Sequence, residues 1–252
     1  LVGGAFDYFG SNPLGGLVRL SSAGVREVGF PASTGGLNST VNAVAVLSGG
    51  DVLAVGYFDR LADASRPFSA RFNSDGTLDA AQVGRWGAPE GRVVAITPAP
   101  NNKWLVAGRF ERVNGTLVKN IIRLNEDGTN DGTYYTQGGP VYGTVYATAI
   151  QGDGKILIGG DFNTFENYST PLNVGRFSRL NPNGTIDLAF NAALGDGFEG
   201  EVYAIAVQAD GKILVGGSFY YFNGEPAQYL VRLNSDGSRD HSFSLGDGFS
   251  SD

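Results

Sequence analysis

Cysteine is absent from the 252 residues, which excludes disulfides, zinc–thiolate sites and cysteine nucleophiles. Histidine occurs once, at His241 on an outermost strand, and no Ser-His-Asp arrangement or histidine metal cluster is expected around it. Methionine is missing too, so Leu1 is not a translation start, and the chain is expected to be a piece of a longer protein with further domains. No run of Lys or Arg interrupts a balance of 18 basic and 25 acidic residues, so the electrostatic footprint of a nucleic-acid or anionic-membrane binder is lacking. No apolar run approaches the roughly 18 residues that a membrane helix needs, and membrane insertion is not expected.

What the chain has in excess is glycine, 39 in all, much of it in Asn-Gly and Asp-Gly pairs that signal short strands and tight turns. It also repeats itself. The phrase Val202-Tyr-Ala-Ile-Ala-Val-Gln-Ala-Asp-Gly-Lys-Ile-Leu-Val-Gly-Gly-Ser-Phe219 returns as Val145-Tyr-Ala-Thr-Ala-Ile-Gln-Gly-Asp-Gly-Lys-Ile-Leu-Ile-Gly-Gly-Asp-Phe162. Its closing phenylalanine falls at Phe6, Phe58, Phe110, Phe162 and Phe219, in steps of 52, 52, 52 and 57. A fixed period of this length is the mark of an array or propeller.

The last copy reads as four strands. Val202 to Gln208 alternates, with both faces largely apolar, as in a strand sandwiched between neighbouring sheets. Asp210-Gly211 turns the chain into a second strand, Lys212 to Phe219. Its Gly216-Gly217 marks a close backbone neighbour. A loop through Asn223-Gly224 leads to a third strand, Tyr229 to Asn234, and Ser235-Asp-Gly237 turns into a fourth, Asp240 to Phe243. No helical segment is expected. The predicted fold is therefore all-β: a β-propeller of four-stranded antiparallel blades, with five blades in one domain over 1–252. The copies divide at about 1–40, 41–92, 93–144, 145–201 and 202–252. The first lacks its innermost strand, because Leu1 aligns with Leu214. A five-bladed ring is the first reading, and part of a six- to eight-bladed ring the alternative.

Every third strand carries an arginine, Arg19, Arg71, Arg123, Arg179 and Arg232, and an acid follows eight residues later, Glu27, Asp79, Asp131, Asp187 and Asp240. Across a three-residue turn with a left-handed glycine, such residues lie directly opposite. A charged functional site in each blade is one reading. The plainer one, preferred here, is a structural ion pair that fixes the register.

These residues carry a resemblance. The pattern Val-x-Ala-Ile-Ala-Val-Gln-x-Asp-Gly-Lys-Ile-Leu-Val-Gly-Gly-x-Phe, then Leu-Val-Arg-Leu-Asn-x-Asp-Gly-x-x-Asp-x-x-Phe, resembles the delta-60 β-propeller repeat of bacterial proteins. The match is close at 202–243 and 145–190. It is looser at 41–82, where Gln82 replaces the aromatic, and at 93–134, where Pro98 and Pro100 interrupt the first hairpin. The resemblance implies large secreted or surface-exposed bacterial proteins and no common enzymatic activity, so no catalytic residues carry over.

Candidate binding residues cluster on loops, which a rigid scaffold fixes while tolerating change. Phe162 to Leu180 spans 18 residues where the other copies span 14, and the extra residues fall in Glu166-Asn167-Tyr168 to Asn173. That segment mixes an aromatic, a carboxylate and amides, which suits a sugar or a protein partner, although a tolerated surface insertion is the plainer reading. Tyr8, Tyr220 and Tyr221 are expected on the same face, as are Trp86, Tyr142, Phe198 and Phe249 from the loops between repeats, the last two read as packing under their loop. The runs Asn73-x-Asp75-Gly and Asn234-x-Asp236-Gly are similar to the middle of a calcium loop but lack its first and last ligands, so they are hairpin turns and no metal site is assigned. Gly195-x-Gly197-x-x-Gly200 matches a dinucleotide fingerprint by letter only, and no cofactor follows from it. The functional expectation is an extracellular or cell-surface recognition or adhesion module for a glycan or protein. The alternatives are a glycan-cleaving enzyme, with Glu90, Glu199 or Glu201 among carboxylates in a central funnel, and a purely structural segment of a surface or fibre assembly.

Overall fold

The computed structural model of the chain describes residues 1–252 apart from 32–35, 48, 62–63, 66–68, 80–90, 136–141, 166–171 and 245–252. The described residues are nearly all-β. Four copies form a three-stranded antiparallel sheet of one order, first strand to second to third. These are Val41–Val46, Val52–Gly56 and Ser69–Phe72; Gly91–Ala99, Lys103–Phe110 and Ile121–Leu124; Val145–Ile150, Ile156–Gly160 and Phe177–Leu180; and Val202–Val207, Ile213–Gly217 and Leu230–Leu233. The first copy shows two strands, Val2–Gly3 and Leu17–Val18.

Three features differ from the expectation. The outermost strand is one bridge long, Leu233 with Arg239 in the last copy and Leu20 with Arg26, Phe72 with Leu78, Leu124 with Asn130 and Leu180 with Ile186 in the others. The cause is the acid after it. The Asp240 carboxylate accepts from the Ser242 amide at 3.0 Å, and the Phe243 amide bonds back to the Asp240 carbonyl, so the chain turns instead of extending. In the fourth copy the same position starts a helix, Leu188–Ala193, where none was expected. Asp187 caps it by accepting from the Phe190 amide, and the run Leu-Ala-Phe-Asn-Ala-Ala contains no β-branched residue, glycine or proline to oppose it. Finally, the loop between second and third strands is a small hairpin of its own in every copy, for example Arg112–Val113 with Thr116–Leu117 and Tyr221–Phe222 with Glu225–Pro226. Asn223 and Gly224 at its tip have φ of 51° and 78°, the paired left-handed geometry of a type I′ turn.

A glycine of the second strand lies against the first strand where that strand bulges. A Cβ on Gly56, Gly108, Gly160 or Gly217 would stand 2.1, 2.0, 1.9 or 1.9 Å from the carbonyl oxygen of Thr40, Arg92, Thr144 or Glu201. No side chain fits there.

The chain divides into two compact units, Leu1–Leu117 with Ile122–Asp131, and Val118–Ile121 with Gly132–Asp252. In the first unit, the innermost strands Val41–Val46 and Gly91–Ala99 are neighbours, and Asn42 Nδ2 donates to the Val93 carbonyl at 2.7 Å. Its core holds Leu17, Phe30, Val41, Phe58 and Phe72. In the second unit Val145–Ile150 lies beside Val202–Val207. Its core is built on Phe177, Phe190, Phe198, Phe219 and Phe222, with Phe198 4.5 Å from Phe219 and 4.7 Å from Phe222, ring centre to ring centre. Each such phenylalanine adds about 1.5–3 kcal/mol on burial.

Candidate functional site

Each sheet has two chemically different ends. One end carries the tight turns. There Arg123 Nε stands 2.6 Å from Asp131, Arg179 Nε 2.9 Å from Asp187, Arg232 Nε 2.8 Å from Asp240 and Arg71 Nε 3.5 Å from Asp79, and Arg19 Nε bonds Glu27. The register that brings them together is that of a three-residue loop, with Asn234 N donating to Ser238 O and Gly237 left-handed at φ 96°.

These arginines do two further things. Arg19, Arg71 and Arg179 each donate an Nη1 hydrogen to a turn carbonyl one repeat further on, Ser74 at 2.7 Å, Glu126 at 3.1 Å and Ser235 at 2.7 Å. Arg19, Arg179 and Arg232 also lie over the ring three residues after their acid, 4.4 Å from Phe30, 4.0 Å from Phe190 and 4.6 Å from Phe243. The acid-x-x-aromatic pattern is thus a turn that folds a ring over the guanidinium.

A third member was missed from the sequence. Lys103, Lys155 and Lys212 on the second strands reach Asp131, Asp187 and Asp240 at 2.8, 3.0 and 2.7 Å. The second copy carries Asp51 in this place, and Arg71 bonds it at 3.0 Å. The Asp-Gly-Lys motif held the signal. Burial opposes charge on Asp187, but Lys155, the Phe190 amide and Arg179 outweigh it and hold its carboxyl below the ordinary range. Lys212, helped by Ser242 and Arg232, does the same for Asp240. In the turns themselves, the Asp75 and Asp236 carboxylates accept from the hydroxyls and amides of Thr77 and Ser238.

The other end carries the small hairpins and the entries to the first strands, and here the copies diverge. In the second unit a cleft of about 560 Å³ opens between the hairpins of the fourth and fifth copies. Asn163, Asn173, Arg176, Asp196, Tyr221 and Asn223 are among the residues that line it. Its walls are pinned from behind. Glu199 accepts from the amides of Tyr220 at 2.6 Å and Tyr221 at 2.8 Å, Asn223 Oδ1 accepts from the Asp196 amide at 3.2 Å, and Arg176 Nη1 donates to the Phe198 carbonyl at 3.0 Å. Tyr220 and Tyr221 are each half exposed, and Tyr220 meets Tyr229 ring to ring at 4.8 Å with their phenols hydrogen-bonded.

Of the sequence-predicted binding residues, Asn173 and Tyr221 meet in this cleft and Tyr220 stands beside it. Glu166, Asn167, Tyr168, Trp86, Glu90 and Phe249 lie outside the described residues, although Thr164 and Asn173, which flank the first three, line the cleft. Tyr142 is exposed and does not line it. Tyr8, exposed, belongs to a separate cleft of about 770 Å³ in the first unit, with Asn12, Pro13, Arg26 and Val28. Phe198 is 1% exposed and belongs to the core.

Near the entry to the first strands, Tyr146 donates to Asp161 at 2.9 Å and Tyr203 to Glu201 at 2.5 Å, their rings 5.5 Å apart. Burial and the bond to Asp161 push the Tyr146 phenol up to about 12. The bond to Glu201 raises that of Tyr203. Among the described residues, no three His, Asp or Glu side chains gather in the way a metal site needs.

The domain of unknown function described as DUF5122 beta-propeller matches residues 50–81, 99–134, 151–190 and 208–243, more than half of the chain. The chain belongs to this family. Each matched segment runs from about the first tight turn through the second strand, the small hairpin and the third strand to the region of the following acid. No curated protein matches the DUF5122 chain. Among solved structures it is similar to PorZ, an essential bacterial surface component of the type-IX secretion system of Porphyromonas gingivalis (14% identity, TM-score 0.46, covering 89% of this chain and 29% of that one). It is similar to a protein of unknown function from Bacteroides caccae (14% identity, TM-score 0.32, 79% and 80% covered). The extracellular domain of the putative hybrid two component system BT3049 from B. thetaiotaomicron also matches (14% identity, TM-score 0.28, 83% and 28% covered). The chain thus spans less than a third of the PorZ chain.

Proposed function

We propose that this DUF5122 chain is a non-enzymatic recognition module of the bacterial cell surface or extracellular space, and that it presents its hairpin ends to a glycan or protein. The observation that carries this reading is the pairing, at one end of the sheets, of half-exposed tyrosines with a rigid mounting: both oxygens of Glu199 are engaged by the amides of Tyr220 and Tyr221. A side chain that anchors a hairpin in this way holds a binding surface still, which lowers the ordering cost of association. Glu201, taken up by the Tyr203 hydroxyl, likewise serves position better than proton transfer. No helix among the described residues is long and apolar enough to cross a membrane. The test is a screen of the purified chain against immobilised glycans and surface proteins, repeated with Tyr220→Ala/Tyr221→Ala. The reading requires a bound class that the double variant loses; turnover of a glycan in place of retention would contradict it.

A further inference from the structure

Resting on that recognition reading, we infer that the cleft between the hairpins of the fourth and fifth copies is a saccharide site for a neutral pyranose ring bearing vicinal hydroxyls. Three observations converge. The cleft volume of about 560 Å³ falls within the roughly 300–1,000 Å³ of small-molecule sites. Its lining mixes acceptors and donors at short spacing. Asp196 is exposed and carries a carboxylate, Asn163 and Asn173 carry amides, the Asn173 oxygen accepting from the Gly175 amide at 3.3 Å, and Arg176, which spends one nitrogen on the Phe198 carbonyl, keeps other N–H groups. Hydroxyl groups both donate and accept, so a diol satisfies such a set where a purely anionic or purely cationic group cannot. A carboxylate or phosphate ligand would meet the two acids Asp196 and Glu199, with Arg176 the one cationic side chain in the lining to offset them. Tyr221 lines the same cleft and leaves half of its surface open, which offers a flat apolar partner for the C–H face of a sugar ring.

The third observation is backbone conformation at one register position. Three residues before Arg19, Arg123, Arg179 and Arg232 the chain is left-handed. Gly16 and Asn120 fill that place in the first and third copies, residues that tolerate it. In the fourth and fifth copies it is filled by Arg176 at φ 64° and Tyr229 at φ 71°, with Gln228 left-handed as well. Bulky side chains at positive φ are strained. Both lie at this cleft: Arg176 lines it, and Tyr229 backs the tyrosine next to it.

The experiment is calorimetric titration of the full chain with methyl α-mannoside, methyl β-glucoside, methyl β-galactoside, maltose and cellobiose, with glucuronate as the charged control. At least one neutral sugar should bind, with glucuronate weaker by about tenfold or more, since one charge-assisted hydrogen bond corresponds to that factor. Asp196→Asn, which keeps the shape, and Tyr221→Ala should each weaken the sugar by about tenfold on the same grounds, with unchanged thermal midpoints. Tyr8→Ala, in the other unit, should leave it unaltered. Sugar binding that ignores both cleft variants, or that favours glucuronate, overturns the assignment. Absence of sugar binding in a chain that retains a protein ligand overturns the saccharide inference and leaves the recognition reading standing. Absence of every ligand overturns both.

Discussion

The turn end and the hairpin end of the sheets are built from the same strands and obey opposite rules. At the turn end all five copies place an arginine on an acid, and three of those arginines also grip a carbonyl of the following repeat. At the hairpin end the copies share a backbone path and an apolar second hairpin residue, but the first hairpin residue varies: tyrosine at Tyr8 and Tyr221, arginine at Arg60 and Arg112, and threonine at Thr164. Internal repetition therefore separates the residues that hold the sheets from those that are free to differ. The charge layout at the turn end tolerates rearrangement only as a set: where lysine gives way to Asp51, Arg71 bridges two acids.

Substitutions can break or sharpen that contrast. The largest effect is expected from Arg179→Met, because the side chain is 9% exposed and its guanidinium serves Asp187, Gln151 and the Ser235 carbonyl. Removing one partner of a buried pair costs about 3–5 kcal/mol. The same change at the more exposed Arg19 should cost about 1 kcal/mol, measured by urea unfolding. Equal losses at the two sites would mean that burial does not set the strength of the latch. Next come two glycines of like conformation. Gly184→Ala, at the turn end, brings a Cβ within 2.9 Å of the Tyr134 ring; strain plus overpacking should cost about 2–3 kcal/mol. Gly224→Ala, at the hairpin tip, meets nothing within 4 Å. It should cost only the left-handed penalty, about 1 kcal/mol.

Acid should act through the turn end as well. The Asp187 pKa is lower in the folded chain than in the unfolded one, so its contribution is complete above the unfolded value of about 3.9 and disappears as pH falls through the folded one. The thermal midpoint is expected to drop below about pH 4, less steeply in Asp187→Asn. A midpoint that is flat there would show that the acid carries no pH-linked stability. The smallest stability effect belongs to Tyr221→Ala, within about 0.5 kcal/mol of the parent, although it should weaken sugar binding about tenfold. A large loss of stability would make Tyr221 part of the scaffold.

How much of this could be read from the residues depended on whether the information was local. The period, the first two strands and the three-residue turns rest on alternation and on Asn-x-Asp-Gly, which act within a few residues, and they are visible in the sequence. The outer strand was over-read because Asp240 to Phe243 has strand-like composition, whereas the carboxylate of Asp240 competes for its own downstream amide. The helix Leu188–Ala193 depends on the same competition with a better helix-forming run behind it. At the candidate site, Asn173 and Tyr221 could be named from loop composition. Asp196 and Arg176 could not, since they reach the cleft from an inter-repeat loop and from a left-handed residue that no local pattern marks. Glu199 could be named only as a carboxylate; that it clamps two amides depends on a partner 21 residues away.

The most direct test of the central claim, that ligand recognition belongs to the end where the repeats differ, is a chemical-shift map of the isotope-labelled chain titrated with the best neutral glycoside. Shifts confined to residues 163–165, 172–176, 196–199 and 220–224 are the predicted result. Shifts gathered instead at the turns around residues 74–77 or 235–238, or none near the cleft at saturation, would contradict it.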